Sequence, residues 1–208
     1  MSRDRAAVTV RTVEGRADLK RFLAVPFAIY RDDPNWVAPL YAERIRHLDP
    51  GRNPYFQHAE ARFFLAERNG VAIGRISAQI DRLHLQRHAD GAGQFGFLEA
   101  IDDPSVFAAL LDAAAAWLAA HGATRMRGPF SLSINDESGL LIDGFDRPPS
   151  VMMGHARPYY GPRLEALGFT KAKDVLAYEY DASKPLPPLM AFLQVQGKIA
   201  PEELGIAT

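Results

Sequence analysis

Between Gln94 and Gly139 the chain runs through QFGFLEAIDD, then PSVFAALLDAAAAWLAAHG, then ATRMRGPFSLSINDESG, the pattern of a strand, a helix and a second strand. Two strands joined through a helix run parallel and bring their C-terminal ends to one edge of the sheet. That edge is where open α/β sheets form a ligand crevice. Asn135, Asp136 and Glu137 should therefore project near Glu99, Asp102 and Asp103. No other stretch narrows the choice of fold as far.

The flanking segments extend this unit. Ala6 to Val13 has strand character, with Val8, Val10 and Val13 set among polar residues. A helix starts at Asp18 and carries Leu19, Phe22, Leu23 and Phe27, with Pro26 kinking or ending it. A second short helix is expected from Leu40 to Leu48. Ala61 to Glu67 and Val71 to Asp81 form a hairpin, because Asn69-Gly70 supplies the positive φ angles of a type I′ turn.

Phe95 to Ile101 is almost continuously apolar and should be a central strand. Asp103 caps the next helix, Pro104 fits its first turn, and Phe107, Leu110, Leu111, Ala114 and Leu118 form its buried stripe. Met126 to Ile134 and Ala172 to Tyr180 read as further strands, with a short helix from Pro162 to Leu167 between them. The expected architecture is α/β with helices on both faces of a mixed sheet. Residues 1–180 would form the domain. Residues 181–208, opening on DASKPLPP, would be a Pro-rich linker and tail.

Charge and composition remove several functions. Lys and Arg number 24 against 25 Asp and Glu, a net charge of −1, so no broad field draws the protein to nucleic acid or anionic lipid. The absence of cysteine excludes disulfides, thiolate metal sites and cysteine nucleophiles. The first residues lack a signal-peptide core, and the longest apolar run, Phe107 to Ala120, is too short to span a bilayer. A cytoplasmic protein without a membrane segment is expected.

The segments VPFAIYRDDPNWVAPL, NPYFQHAEARFFLAERNGVAIGRISAQID, FGFLEAIDD, NDESGLLIDGF and PYYGPRLEALGF resemble the GNAT (Gcn5-related N-acetyltransferase)-like superfamily, and within it a bacterial GNAT-like group. The resemblance covers roughly Ala6 to Tyr180 and implies a mostly antiparallel central sheet with helices on both faces. Members of that group are often longer, with a further domain after the last strand. In the superfamily, the strand matching Phe95–Ile101 splays from its neighbour, and its free backbone pairs with the pantetheine of an acyl-CoA. The resemblance therefore implies acetyl-CoA or another acyl thioester as cofactor, held along Phe97, Ala100 and Ile101, then by Asp103, Ser105 and Val106, with Asn135 opposite.

This chain departs from the superfamily at two points. The turn after the strand usually reads Gln/Arg-x-x-Gly-x-Gly/Ala, and here it is Asp102-Asp103-Pro104-Ser105-Val106-Phe107. The glycines that admit a pyrophosphate to the helix N-terminus are missing, and two carboxylates occupy the positive end of the dipole. The customary acid, a tyrosine four residues before the Gly of the Gly-Phe pair, falls on Leu164. Tyr160, a turn earlier, is the substitute candidate, with Tyr159 beside it.

Each candidate also has an ordinary structural explanation. Glu99 could be a general base for an amine, or a glutamate on an outer face or paired with an arginine such as Arg127. Asn135 could bind an amide and Glu137 an amine, or both could serve the turn, as could Ser138. Ser105 in a first helical turn usually serves the helix itself. His84 and His88 stand four apart but lack a metal-binding pattern, so no metal is expected. Trp36, Tyr41, Tyr55 and Phe56 could line a substrate channel, although such aromatics more often fill a core.

The leading functional reading is an N-acyltransferase in which an amine attacks the thioester and Tyr160 protonates the departing thiolate. The donor is an acyl-CoA, or an acyl-carrier protein whose phosphopantetheine presents no pyrophosphate to the poor turn. The alternative is a catalytically silent GNAT-like module that binds a small molecule or a protein. A third reading makes the chain half of a larger two-domain enzyme. The acceptor, the acyl length and the oligomeric state, a homodimer included, stay open.

Overall fold

The computed structural model describes residues 6–177, 181, 183–185 and 188. In chain order it contains β1 (Thr9–Thr12), α1 (Gly15–Ile29), α2 (Tyr41–His47), a 3-10 turn (Pro54–Gln57), β2 (Ala59–Arg68), β3 (Val71–Asp81), α3 (Arg82–His88), β4 (Ala92–Ala100), α4 (Pro104–Ala120), β5 (Arg125–Arg127) and α5 (Tyr160–Ala166). The five strands lie in the sheet in sequence order. Every pairing is antiparallel except β4 with β5, which is parallel. The sheet is thus mixed and mostly antiparallel, as expected.

The β2–β3 hairpin sets the register. Asn69 and Gly70 have φ of 53° and 77°, the two left-handed positions of a type I′ turn, and Arg68 pairs directly with Val71. Side chains then alternate between the two faces of the sheet. Phe64 and Ala66 join Ile76, Ala78 and Ile80 beneath the apolar stripe of α4, while Leu65 falls into a second cluster with Phe22, Leu23 and Val25 of α1. Two cores therefore sandwich one sheet. Asp103 caps α4 by accepting from the Ser105 backbone N–H at 3.0 Å, and Pro104 opens the first turn.

Pro26 does not end α1, which continues to Ile29. A proline has no N–H to donate to the carbonyl four residues earlier, which here belongs to Phe22. The buried guanidinium of Arg75 fills that role, donating from Nη1 to the Phe22 carbonyl at 3.2 Å. The helix survives its proline because β3 supplies the missing donor.

Strand β4 is bent at its centre. Arg75 pairs with Glu99 and Ser77 with Gly96, so Phe97 and Leu98 together stand opposite Ile76, and Phe97 has φ of 47°. Such a bulge swings the rest of the strand away from its neighbour. The expected strand Met126–Ile134 is correspondingly cut to Arg125–Arg127, which pairs only with Ala92–Gln94. Pro129 has no ladder donor to give, and Leu132 turns the chain aside with φ of 89°. The last contacts before the strands part are Phe130 N–H to the Phe95 carbonyl at 2.7 Å and the Phe130 carbonyl lying against Gly96.

Contacts divide the chain into Met1–Lys171 and Ala172–Thr208. Residues 172–177 carry no regular secondary structure, so that part of the expected last strand is absent; residues 178–180, and the helical turns expected at Met190–Gln196, lie outside the described residues.

The seam between β4 and β5 yields a direct test. A Cβ built on Gly96 would stand 1.6 Å from the Phe130 carbonyl oxygen, which only backbone movement could relieve. Gly96→Ala should lower stability by about 3 kcal/mol, the upper end of overpacking costs, measured by denaturant unfolding. An unchanged midpoint would show that the two strands do not meet there.

Candidate functional site

Where β4 leaves β5, a cleft of about 780 Å³ opens. Its walls come from α1 and α2, from the β4 bulge, from residues after β5 and from Tyr160 of α5. Glu99 stands at the β4 wall, directly across the ladder from Arg75. Its Oε2 accepts from Tyr30 Oη and from Tyr160 Oη, each at 2.7 Å, and its Oε1 lies 3.8 Å from Arg75 Nη2. The structure thus gives Glu99 to Arg75, not to Arg127, which reaches Asp90 at 3.5 Å instead.

Burial raises the Glu99 carboxyl above its ordinary range, opposed by the charge of Arg75 and by the two tyrosine hydrogen bonds. Burial, and then the carboxylate, push the Tyr160 hydroxyl well above the usual tyrosine value, so it keeps its proton. Tyr30 moves the same way for the same reasons.

Tyr160 also accepts from the Ala100 N–H at 3.1 Å, and Tyr159 donates to the Ala100 carbonyl at 2.8 Å. Both backbone groups of Ala100 are therefore taken by α5 and the residue before it. Ile101 donates its N–H to the Ile73 carbonyl at 3.1 Å. Phe97 and Leu98, at the bulge, are the β4 residues that line the cleft together with Glu99.

Glu137 lines the opposite wall and pairs with Arg44 of α2. Beside it, Asp136 Oδ1 lies 3.1 Å from His47 Nε2. Burial tends to raise the Asp136 carboxyl, but His47 and Ser133 outweigh it and hold it below the ordinary value. The cleft therefore joins an acid–tyrosine cluster to the Arg44–Glu137 ion pair and the His47–Asp136 contact, a suitable lining for a polar reacting centre. Its mouth is apolar: Phe27, Val37, Val151 and Met152 are exposed there, Val151 at 91%.

Glu99, Glu137, Tyr160 and Phe97 are thus brought together, whereas Asp103, Ser105, Val106 and Asn135 are not. Val106 is fully buried in the first turn of α4, packed into the core it shares with the sheet. Asp103 accepts from Ser105 Oγ at 2.7 Å and from Arg68 at 2.8 Å, so it caps and anchors the helix. Asn135 sits exposed in a turn closed by Ser133 and Asp136, with its N–H donated to Ser133 Oγ at 3.1 Å. Asp102 pairs with Arg163 at 2.7 Å. Trp36 and Tyr41 line the cleft, while Tyr55 is buried in the core with Phe56 packed against that core.

Sequence reasoning missed Tyr30, Arg44, Arg75 and His155. Only Arg75 left a local trace, as a lone cation in an apolar strand. Among the described residues, no group of three His, Asp or Glu side chains could hold a metal ion, and no helix is long and apolar enough to cross a membrane.

No family model matches the chain. It is 51% identical over 169 residues to "Protein YghO" of Escherichia coli (strain K12), covering 81% of this chain and 43% of that protein. It is 50% identical over 186 residues to "Bacterial ceramide synthase" of Caulobacter vibrioides, covering 88% and 48%. The chain thus spans less than half the length of these curated relatives. Among solved structures, it is similar to an aminoglycoside acetyltransferase from an uncultured soil metagenomic sample in complex with sisomicin, at 10% identity and TM-score 0.52, covering 84% of this chain and 95% of that one. It is also similar to the acetyltransferase AAC(6')-Iy in complex with a CoA bisubstrate analog, at 15% identity and TM-score 0.50, covering 85% and 99%. The chain is GNAT-like in fold, as the resemblance of its segments implied.

The helix cap gives a prediction with a definite sign. Burial opposes ionisation of Asp103, yet Ser105 and Arg68 outweigh it and hold the carboxyl at about 2. A carboxyl lowered on folding stabilises above its unfolded value near 4 and loses that contribution as pH falls toward 2. Asp103→Asn should cost about 2 kcal/mol at pH 7, and the two proteins should converge near pH 2. Parallel unfolding curves across that range would contradict the assignment.

Proposed function

We propose that this chain carries the acyl-transfer site of an N-acyltransferase, moving an acyl group from a thioester to an amine. One observation carries the proposal: Glu99 and Tyr160 stand in the wall of a cleft opened by the β4 bulge, and Glu99 accepts from Tyr160 and from the buried Tyr30 behind it. In this reading Glu99 takes the proton of the attacking amine through Oε1, the oxygen that accepts from neither tyrosine. Its raised affinity for protons suits that role. Tyr160, held protonated, gives its proton to the departing thiolate, and Glu137 attracts the incoming amine.

The donor is acetyl-CoA or a longer acyl-CoA, lying along the bulge at Phe97 and Leu98. Support comes from the fold it shares with an acetyltransferase in complex with a CoA bisubstrate analog. The carboxylates at the start of α4 make an acyl-carrier protein the second choice, because its arm brings no pyrophosphate to that end. For the acceptor, the apolar mouth and the half-identical relative called a ceramide synthase support an amine with a long alkyl chain. A ceramide is the fatty amide of such an amino alcohol. The proposed place of action is the cytoplasm.

A silent binding module is the second reading. It is favoured by the tyrosine hydroxyls that occupy the backbone groups of Ala100. Incubation with palmitoyl-CoA and sphinganine, with release of free thiol and amide followed by mass spectrometry, separates the two. We expect turnover that falls about 100- to 10,000-fold in Glu99→Gln and in Tyr160→Phe, the usual range for a lost proton-transfer group. Thiol release that persists in both variants would remove these roles, and binding without amide formation would favour the silent module.

A further inference from the structure

We propose that His155, oriented by Asp33, receives an N–H of the acceptor amine at its Nδ1. This rests on the transferase reading and adds to it a residue that the sequence did not reveal. His155 borders both the cleft and a smaller cavity of about 230 Å³, which is lined by Asp32, Asp33, Asn35 and Arg157. Its side chain is 5% exposed, and its Nε2 lies 3.0 Å from Asp33 Oδ2. That same carboxylate oxygen lies 3.4 Å from Arg157 Nη1, and Asp33 Oδ1 accepts from the Asn35 N–H at 3.0 Å. An ionised carboxylate only accepts hydrogen bonds, so Nε2 must carry the proton toward it.

In the neutral ring, fixing the proton on Nε2 leaves Nδ1 with an open lone pair, and Nδ1 is buried with no hydrogen-bond partner. A buried polar atom without a partner is uncommon enough to require an explanation. Its surroundings supply one. Tyr30 packs its ring 5.2 Å from the imidazole and donates to Glu99 at 2.7 Å. The same hydroxyl lies 3.4 Å from the His155 carbonyl. Glu99 and His155, both in the cleft lining, therefore flank one buried tyrosine.

A primary amine has two N–H bonds and one lone pair. If one N–H is given to Glu99 and the other to His155 Nδ1, the lone pair has a single direction left, toward the thioester carbon. Attack forms the C–N bond and breaks the C–S bond. The nitrogen's surplus proton passes to Glu99, and the thiolate takes a proton from Tyr160. His155 gains and loses nothing in that step, so it is a binding and positioning residue. Nδ1 is itself buried, so the amine reaches it only when side chains around it move.

The test uses the full chain labelled with 15N-histidine, with the His155 ring assigned through its own Cβ correlations. In the free protein the proton should sit on Nε2, facing Asp33, with none on Nδ1. Octylamine should shift the Nδ1 resonance. Octyltrimethylammonium, of similar length and charge but without an N–H, should not. A proton on Nδ1 in the free protein, an equal response to both probes, or no response would each overturn the proposal. In the palmitoyl-CoA assay, His155→Ala should raise KM for sphinganine about tenfold, the loss of one hydrogen bond, and leave KM for palmitoyl-CoA unchanged. Equal changes in both constants would also overturn it. An octylamine-specific shift without any amide formation would instead end the transferase reading and leave the amine contact standing.

Discussion

The guanidinium of Arg75 holds three parts of this protein together. It donates to the carbonyl that Pro26 leaves unpaired in α1, packs over the rings of Phe22 and Phe97 at 5.0 and 5.6 Å, and faces Glu99 across the ladder. A charge buried to this degree is stable only with partners, and removing one partner of such a pair typically costs about 3–5 kcal/mol. The helix on one face, the bulge of β4 and the acid of the cleft therefore depend on a single side chain. Glu99 needs the same cation, since burial alone would favour its neutral form.

The second constraint is the bulge itself. Two residues of β4 opposite one of β3 bend the strand, and Gly96 marks the last point at which the Phe130 segment can approach. The cleft lies beyond that point, and Tyr160 stands in its wall. Tyr159 and Tyr160 satisfy the Ala100 backbone groups that a straight pairing with β5 would have occupied. The opening is thus stabilised by side-chain hydroxyls where ladder bonds stop. Polar backbone that faced the gap without them would cost about 1–3 kcal/mol per group.

The acids at and just beyond the C-terminal end of β4 have different partners. Asp102 and Asp103 are engaged by Arg163 and Arg68, so the start of α4 is a structural joint made from ion pairs. The carboxylate of Glu99, inside the strand, has only hydroxyls and one more distant cation as partners. Acids close in the sequence therefore have unlike environments, and of these three Glu99 is the one that lines the cleft.

The hairpin, the capped helix α4 and the mixed sheet were legible in the sequence because each depends on neighbours in the chain. Asn69-Gly70 fixes a turn, Asp103-Pro104 starts a helix, and alternation within Phe64-Leu65-Ala66 assigns faces. The proximity of Glu99 to Glu137 was also legible, from the parallel β4–α4–β5 connection. The partners of those acids were not. Tyr30 stands 69 positions from Glu99, and His155 stands 122 from Asp33, and no local period links such distances. The endings of α1 and β5 failed for the same reason: a long-range donor kept the helix intact past Pro26, while a departing loop stopped the strand at Arg127. Sequence alone determined the β2–β3 hairpin, the capped helix α4 and the faces they bury, because propensity and periodicity act over a few residues. Tertiary structure decided which charges meet in the cleft, because burial and pairing are set only when distant segments come together.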